Sequence, residues 1–246
     1  MKTKTIVYAL LLTIVSAKIT IAQSVHKEPK YYNWFDDHVK RFNTGLFNGV
    51  EYIELYRTIN EKHKFFKSSE FQLGSVVYDG QFYDQVPLKY DLDADQLLLN
   101  VGYNYPYPTI ILFKSKIDRF GIGGSDFIHI KEASGDTNIQ GFYEVLMQKN
   151  SLTLLKKNGT KRFKRIRGTT VYYEFIHENN YVIGYNDTFY KIDRKQDVVR
   201  IWPDMKEFIN ENYNQASKKN NEDVFWKNFF SKLSDSFNIN NRPQDL

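Results

Sequence analysis

From Gly74 onward the chain is cut into short β-prone runs by turn-forming residues, and this punctuation limits its folds more than any other feature. Ser75-Val76-Val77-Tyr78 meets Asp79-Gly80 and resumes as Gln81-Phe82-Tyr83. Asp-Gly between two such runs predicts a hairpin, because a type I′ turn needs positive φ at both central residues. In the stretch that follows, Phe82, Asp84, Val86, Leu88, Tyr90 and Leu92 fall on one side and Tyr83, Gln85, Pro87, Lys89 and Asp91 on the other. A period of two puts one face toward a core and one toward water. Pro87 has no N–H for a ladder and predicts an edge strand or a break. Further strand candidates lie at 96–102, 109–113, 116–122, 126–132, 141–148, 152–157, 171–177, 181–184, 188–192 and 198–202, divided by Asn-, Gly- and Asp-bearing turns. No helix-length period separates them, and parallel strands would need crossover helices. The expected fold is mainly β, an antiparallel curled sheet, barrel or sandwich over residues 74–202.

The flanks read differently. Residues 23–73 mix Tyr31, Tyr32, Trp34 and Phe35 with charges and show no clean period, so an irregular N-terminal segment is expected there. After Trp202, Pro203-Asp204-Met205-Lys206-Glu207 has the form of a helix start, with Asp204 as cap and Glu207 three residues on. A polar link at 214–220 leads to a second helix, in which Phe225, Trp226, Phe229, Phe230, Leu233 and Phe237 recur at helical spacing. Residues 203–246 are therefore expected to form a C-terminal two-helix hairpin packed on the β-domain.

The first residues have the order of a cleavable export signal: Lys2 and Lys4, an apolar run over 6–15, then small and polar residues ending at Thr20-Ile21-Ala22. The run is too short for a transmembrane helix, which needs roughly 20 apolar residues. Residues 1–22 are expected to leave as a signal peptide, giving a periplasmic or extracellular protein. The chain has no cysteine. A lipid-modified cysteine, a disulfide and thiol catalysis are all excluded, and the expectation is a soluble protein, not a lipoprotein, with no transmembrane segment after processing. The 246 residues less those 22 still suffice for a large core without disulfides. Of the 34 basic residues, Lys2, Lys4 and Lys18 would be removed, leaving 31 against 29 acids. So small an excess gives no reason to expect nucleic acid as a partner.

Candidate chemistry is sparse. Asp91, Asp93 and Asp95 have the opening spacing of an EF-hand, but Gln96 stands where that loop needs glycine and Gly102 where it needs glutamate. A solvated turn between strands is the expectation, with no metal. His26, His38, His63, His129 and His177 form no ligand motif. Gly121-Ile122-Gly123-Gly124-Ser125-Asp126 is not G-x-S-x-G and reads as a turn with a bulge. No cofactor motif is present. Acidic pairs such as Asp36 with Asp37 and Glu51 with Glu54 do not single out a hydrolase, because paired carboxylates act only at a set separation in space.

The strongest local charge feature is the run 156–167, which holds Lys156, Lys157, Lys161, Arg162, Lys164, Arg165 and Arg167 and no acid. Without it the processed chain is net negative, 24 basic residues against 29 acids. Two readings are open: a basic hairpin or loop that binds an anionic surface, or a solvated projection whose cations discourage edge-to-edge pairing. Phe163 and Ile166 between the cations fit a strand with alternating faces.

The sequence Asn43-Thr44-Gly45-Leu46-Phe47-Asn48-Gly49, then Phe65-Phe66, Gly74-Ser75-Val76-Val77-Tyr78-Asp79-Gly80-Gln81, Val86-Pro87-Leu88-Lys89-Tyr90-Asp91 and Gly141-Phe142-Tyr143-Glu144-Val145-Leu146 resembles a group of exported β-rich proteins from Bacteroidota. The resemblance spans most of the processed chain. It implies a Gram-negative envelope setting and assigns no activity or binding residue. The expected role is non-catalytic: binding another envelope protein or an anionic glycolipid. A lipocalin-like barrel holding an apolar small molecule and a carbohydrate-active hydrolase are the alternatives.

Overall fold

Antiparallel pairing of the short runs builds one eleven-stranded sheet. In chain order the strands are β1 (Gly49–Glu51), β2 (Gln72–Tyr78), β3 (Gln81–Asp91), β4 (Gln96–Asn100), β5 (Thr109–Leu112), β6 (Ile117–Ile122), β7 (Ser125–Ile130), β8 (Gly141–Lys149), β9 (Leu152–Arg167), β10 (Thr170–Tyr185) and β11 (Thr188–Ile192). Their spatial order is β1-β5-β4-β3-β2-β6-β7-β8-β9-β10-β11. The sheet curls without closing, and β1 and β11 are its two edges. The computed structural model describes residues 45–59, 61–102, 108–132 and 139–240, all within the unit Lys40–Leu246. The export signal expected over 1–22 and the first part of the irregular 23–73 segment lie outside the described residues.

Turn chemistry sets the hairpins. Asp79-Gly80, Gly123-Gly124 and Asn186-Asp187 have φ values of 53° and 79°, 59° and 74°, and 49° and 59°, the double-positive geometry of type I′ turns. The Gly123-Gly124 turn joins Ile122 to Ser125 without a register shift, so the bulge expected there is absent. A bulge sits instead in β3, where Gln85 has φ of 54° and the β2–β3 register shifts between Gly74 and Val76. One extra residue reverses the side-chain phase. Val86, Leu88 and Tyr90 are buried as expected, but before the bulge Tyr83 is buried and Phe82 is exposed. Pro87 does not mark an edge: β3 lies between β2 and β4. It is tolerated because it stands just outside the last β3–β4 pair, Leu88 with Leu99.

The curled half is filled by rings. Tyr90 packs against Phe120, Phe127 and Phe142 at centroid distances of 5.3, 5.3 and 5.9 Å, and Phe120 stacks on Phe127 at 4.6 Å. Leu46, in a single 3₁₀ turn at Gly45–Phe47, is fully buried in the same cluster. The irregular 23–73 segment thus contributes both an edge strand, β1, and a core residue.

Among the described residues four α-helices follow the sheet, α1 (Lys195–Ile201), α2 (Lys206–Asn212), α3 (Gln215–Asn220) and α4 (Glu222–Asn240), with a 3₁₀ turn at Pro203–Met205 between the first two. The strand expected at 198–202 is a correction. The Asp197 carboxylate accepts the backbone N–H groups of Asp193 and Arg194 at 3.1 and 2.9 Å, which satisfies a helix start, and α1 follows. The expected link at 214–220 is also helical, because Asn214 Oδ1 caps α3 by accepting Ser217 N–H at 3.0 Å. The expected hairpin is therefore a chain of helices that begins before residue 203. On α4, Trp226, Phe229, Phe230 and Leu233 pack with Leu152, Leu154, Tyr181 and Ile183 of β9 and β10. Lys149, the last residue of β8, and Asn150 in the β8–β9 turn fasten the other end of α4 through Ser231 Oγ at 3.0 Å and Ser234 Oγ at 2.7 Å. Among the described residues no helix is long and apolar enough to cross a membrane.

Candidate functional site

Strands β9 and β10 are each sixteen residues long and pair from Leu152 with Tyr185 out to Arg167 with Thr170. The separate candidates 171–177 and 181–184 are one strand, and the run 156–167 is the outer part of its partner. Their neighbours stop early: β8 reaches only Lys156, and β11 covers only Tyr181 to Tyr185. Beyond those points the two strands continue as a two-stranded arm. Arg57 and Lys62 lie along its open edge, where Tyr173 N–H donates to Arg57 O and Phe175 N–H to Lys62 O, both at 2.9 Å. Tyr56 packs edge-on against Tyr173 and Phe175 at 4.9 and 6.0 Å. A strap over the inner arm therefore covers strand edge that would otherwise be open. At the end, Gly168 has φ of 61°, the first-position glycine of a two-residue hairpin turn.

The seven basic residues separate along this arm. Lys156, at its root, is buried and pairs with Asp223 of α4 at 2.7 Å and Glu144 of β8 at 3.9 Å. Tyr181 OH donates to the other Asp223 oxygen at 2.6 Å. Burial pushes the Asp223 carboxyl up, but these two donors outweigh it and hold it below the usual carboxylate range. Lys157 points to the opposite face and pairs with Asp95 at 2.7 Å while donating to Phe142 O at 3.1 Å. Arg162 reaches Asp93 at 3.3 Å and lies over the Tyr56 ring at 4.1 Å. Arg165 donates to Glu174 at 3.0 Å. The side chains of Lys161, Lys164 and Arg167 are exposed and make no hydrogen bond, ion pair or ring contact among the described residues. The arm thus brings together three cations free to bind, not seven.

The carboxylates at 91, 93 and 95 explain part of this division. They form neither a calcium loop nor a solvated turn. Asp91 Oδ1 accepts Asp93 and Ala94 N–H, each at 3.0 Å, and closes its own turn. Its other oxygen meets buried Lys64 at 2.9 Å as an ion pair rather than an aligned hydrogen bond. Asp93 holds Arg162. Asp95 takes Lys157, Lys114 and the Tyr90 hydroxyl, the last at 2.6 Å. Burial raises the Asp95 carboxyl, yet the two ammonium groups and the hydroxyl outweigh it and leave it below the ordinary range. Burial in turn pulls the Lys157 ammonium down, with Asp95 only partly offsetting it. The approach is so close that a Cβ on Gly141, whose φ is 100°, would lie 2.1 Å from Asp95 Oδ2.

His129 and Ser125, the other candidates for chemistry near the curled half, are also engaged. His129 Nδ1 lies 2.9 Å from Ile117 O, with its ring against Phe142 at 4.9 Å, and burial lowers its pKa. Ser125 Oγ donates to Glu144 at 2.7 Å and has no histidine base. A groove of about 510 Å³ runs from Tyr181 to Arg200, and its Asp197 already serves the α1 start and Arg200. No group of three or more metal-ligating side chains occurs among the described residues. Sequence reasoning passed over Val171, which pairs with Ile166 one step before the arm's closing pair and is 42% exposed against 70% for Ile166. Placing the turn at Gly168-Thr169 would have found it. No protein-family model, curated protein or solved structure matches the chain.

Proposed function

We propose that the protein is a non-catalytic, exported binding module of the cell envelope whose β9–β10 arm engages an anionic surface. One observation carries this reading: the cations at the arm's root are neutralised inside the fold, whereas Lys161, Lys164 and Arg167 project from it without partners among the described residues. At an anionic lipid surface each such cation contributes about 1 kcal/mol, so the three contribute about 3 kcal/mol, screened by salt. The ring-filled interior favours this reading over a barrel with an apolar ligand, which would need an open cavity. The engaged carboxylates favour it over a glycoside hydrolase, which needs two facing the substrate. The signal-like residues 1–22 support export.

The test is binding of the chain from Gln23 to soluble polyphosphate and to anionic vesicles at low and high salt. Binding that weakens with salt and disappears in the Lys161→Ser, Lys164→Ser, Arg167→Ser variant is expected. Undiminished binding by that variant would overturn the assignment of the arm. Export is checked by N-terminal sequencing of protein recovered from envelope or medium, where a retained Met1 would overturn processing at Ala22.

A further inference from the structure

We infer that the arm's partner is the interfacial zone of an anionic lipid bilayer, into which Ile166 and Val171 dip while the neighbouring cations sit at phosphate level. This rests on the anion-binding reading of the arm. Ile166 and Val171 are direct cross-strand partners, 70% and 42% exposed, and only the Arg167–Thr170 pair separates them from the turn. Two apolar side chains side by side at the end of a projection are an arrangement a solvated, purely repulsive arm has no use for. Lys164 shares their face by strand alternation, and Lys161, Arg165 and Arg167 lie on the other. Residues 164–173 contain no Asp or Glu. Tyr172, partly exposed and opposite Arg165, has the amphipathic ring that favours the boundary between headgroups and water.

Size separates lipid from protein as the occupant. A stable protein–protein contact buries about 800 Å² on each partner. The tip is a ribbon of two strands about 5 Å apart, and the inner arm behind it is already flanked by Arg57 and Lys62 and by Asp93. It offers two apolar knobs ringed by cations rather than a face. A bilayer asks for no more than this: shallow burial of a few apolar groups together with charge attraction to lipid phosphate.

The experiment uses the chain from Gln23 with phosphatidylcholine vesicles, phosphatidylcholine vesicles containing phosphatidylglycerol, and soluble polyphosphate. The wild type is expected to float with the phosphatidylglycerol vesicles only, and Ile166→Trp to show a blue-shifted emission on adding them. Ile166→Ser with Val171→Ser should weaken vesicle binding about tenfold or more and leave polyphosphate binding unchanged. Removing Lys161, Lys164 and Arg167 should weaken both by roughly 100-fold. Polyphosphate binding without vesicle binding, or vesicle binding indifferent to the Ser pair, would overturn the bilayer assignment while leaving the anion-binding arm intact. Binding to neither probe would overturn the arm itself. All substituted side chains are exposed, and unchanged melting curves confirm that the variants are folded.

Discussion

The root and the tip of the β9–β10 arm are made from one run of basic residues, yet they do opposite physical work. At the root, Lys156 and Lys157 leave opposite faces of the same strand and each meets a partly buried carboxylate, Asp223 of α4 on one side and Asp95 of the β3–β4 turn on the other. They join the sheet to its helical cover and to its own curled half. Farther out, the side chains of Lys161, Lys164 and Arg167 meet no charged or polar partner among the described residues. A charge run is thus divided by what its strand passes: past Lys157, just beyond the point where β8 and β11 stop pairing, only Arg162 and Arg165 of the run still meet a carboxylate, Asp93 and Glu174.

This contrast can be broken most strongly at the root. Asp95→Ala strands Lys157 and Lys114 and leaves the buried Tyr90 hydroxyl without its acceptor, so a loss of about 3 kcal/mol is expected by urea denaturation. Asp95→Ala combined with Lys157→Ala should cost less than the sum of the two single changes, and strict additivity would show that the pair does not act as one. Gly141→Ala should cost roughly 2 kcal/mol or more, from positive φ and the clash with Asp95. A change under 0.5 kcal/mol, within ordinary surface substitutions, would mean that the carboxylate can move aside.

Acid sharpens the same contrast. Asp95 and Asp223 have lowered pKa values in the fold, so the unfolded chain takes up their protons at higher pH. Their contribution is complete above the ordinary carboxylate pKa of about 4 and is lost as pH falls through the lowered folded values. The urea midpoint should drop over that range, and Asp95→Asn should flatten the drop; an unchanged slope would show that Asp95 contributes none of it. The smallest effect belongs to the tip. Replacing Lys161, Lys164 and Arg167 by Ser should shift stability by less than about 0.5 kcal/mol, because exposed unpaired cations hold nothing in place.

What could be read from sequence follows the range of the forces involved. Asp79-Gly80 announces its hairpin because the turn's requirement for positive φ is local. The stripe from Phe225 to Phe237 announces α4 because a buried helix face repeats every turn. Gln85 is different: a bulge residue in a strand carries no mark of its own, yet it decides that Tyr83 rather than Phe82 enters the core. Val198 and Trp202 suit a strand in composition, and only the placement of Asp197 against two preceding N–H groups makes α1 a helix. The candidate site was legible as a basic run but not as three working cations. The partners of Lys156, Lys157 and Arg162, at Asp93, Asp95, Glu144 and Asp223, come from other elements, and Asp93, Asp95 and Asp223 lie more than sixty residues away.

The strand order also bears on how the molecule assembles. From β6 to β11 every neighbour in space is the next strand in sequence, so each hairpin can zip from its own turn with little loop entropy to overcome. The strap is the reverse case, since Arg57 and Lys62 meet Tyr173 and Phe175 across more than a hundred residues. Strap closure belongs late in folding. Until then the inner arm is an open strand edge, and the chain is most exposed to self-association in that interval.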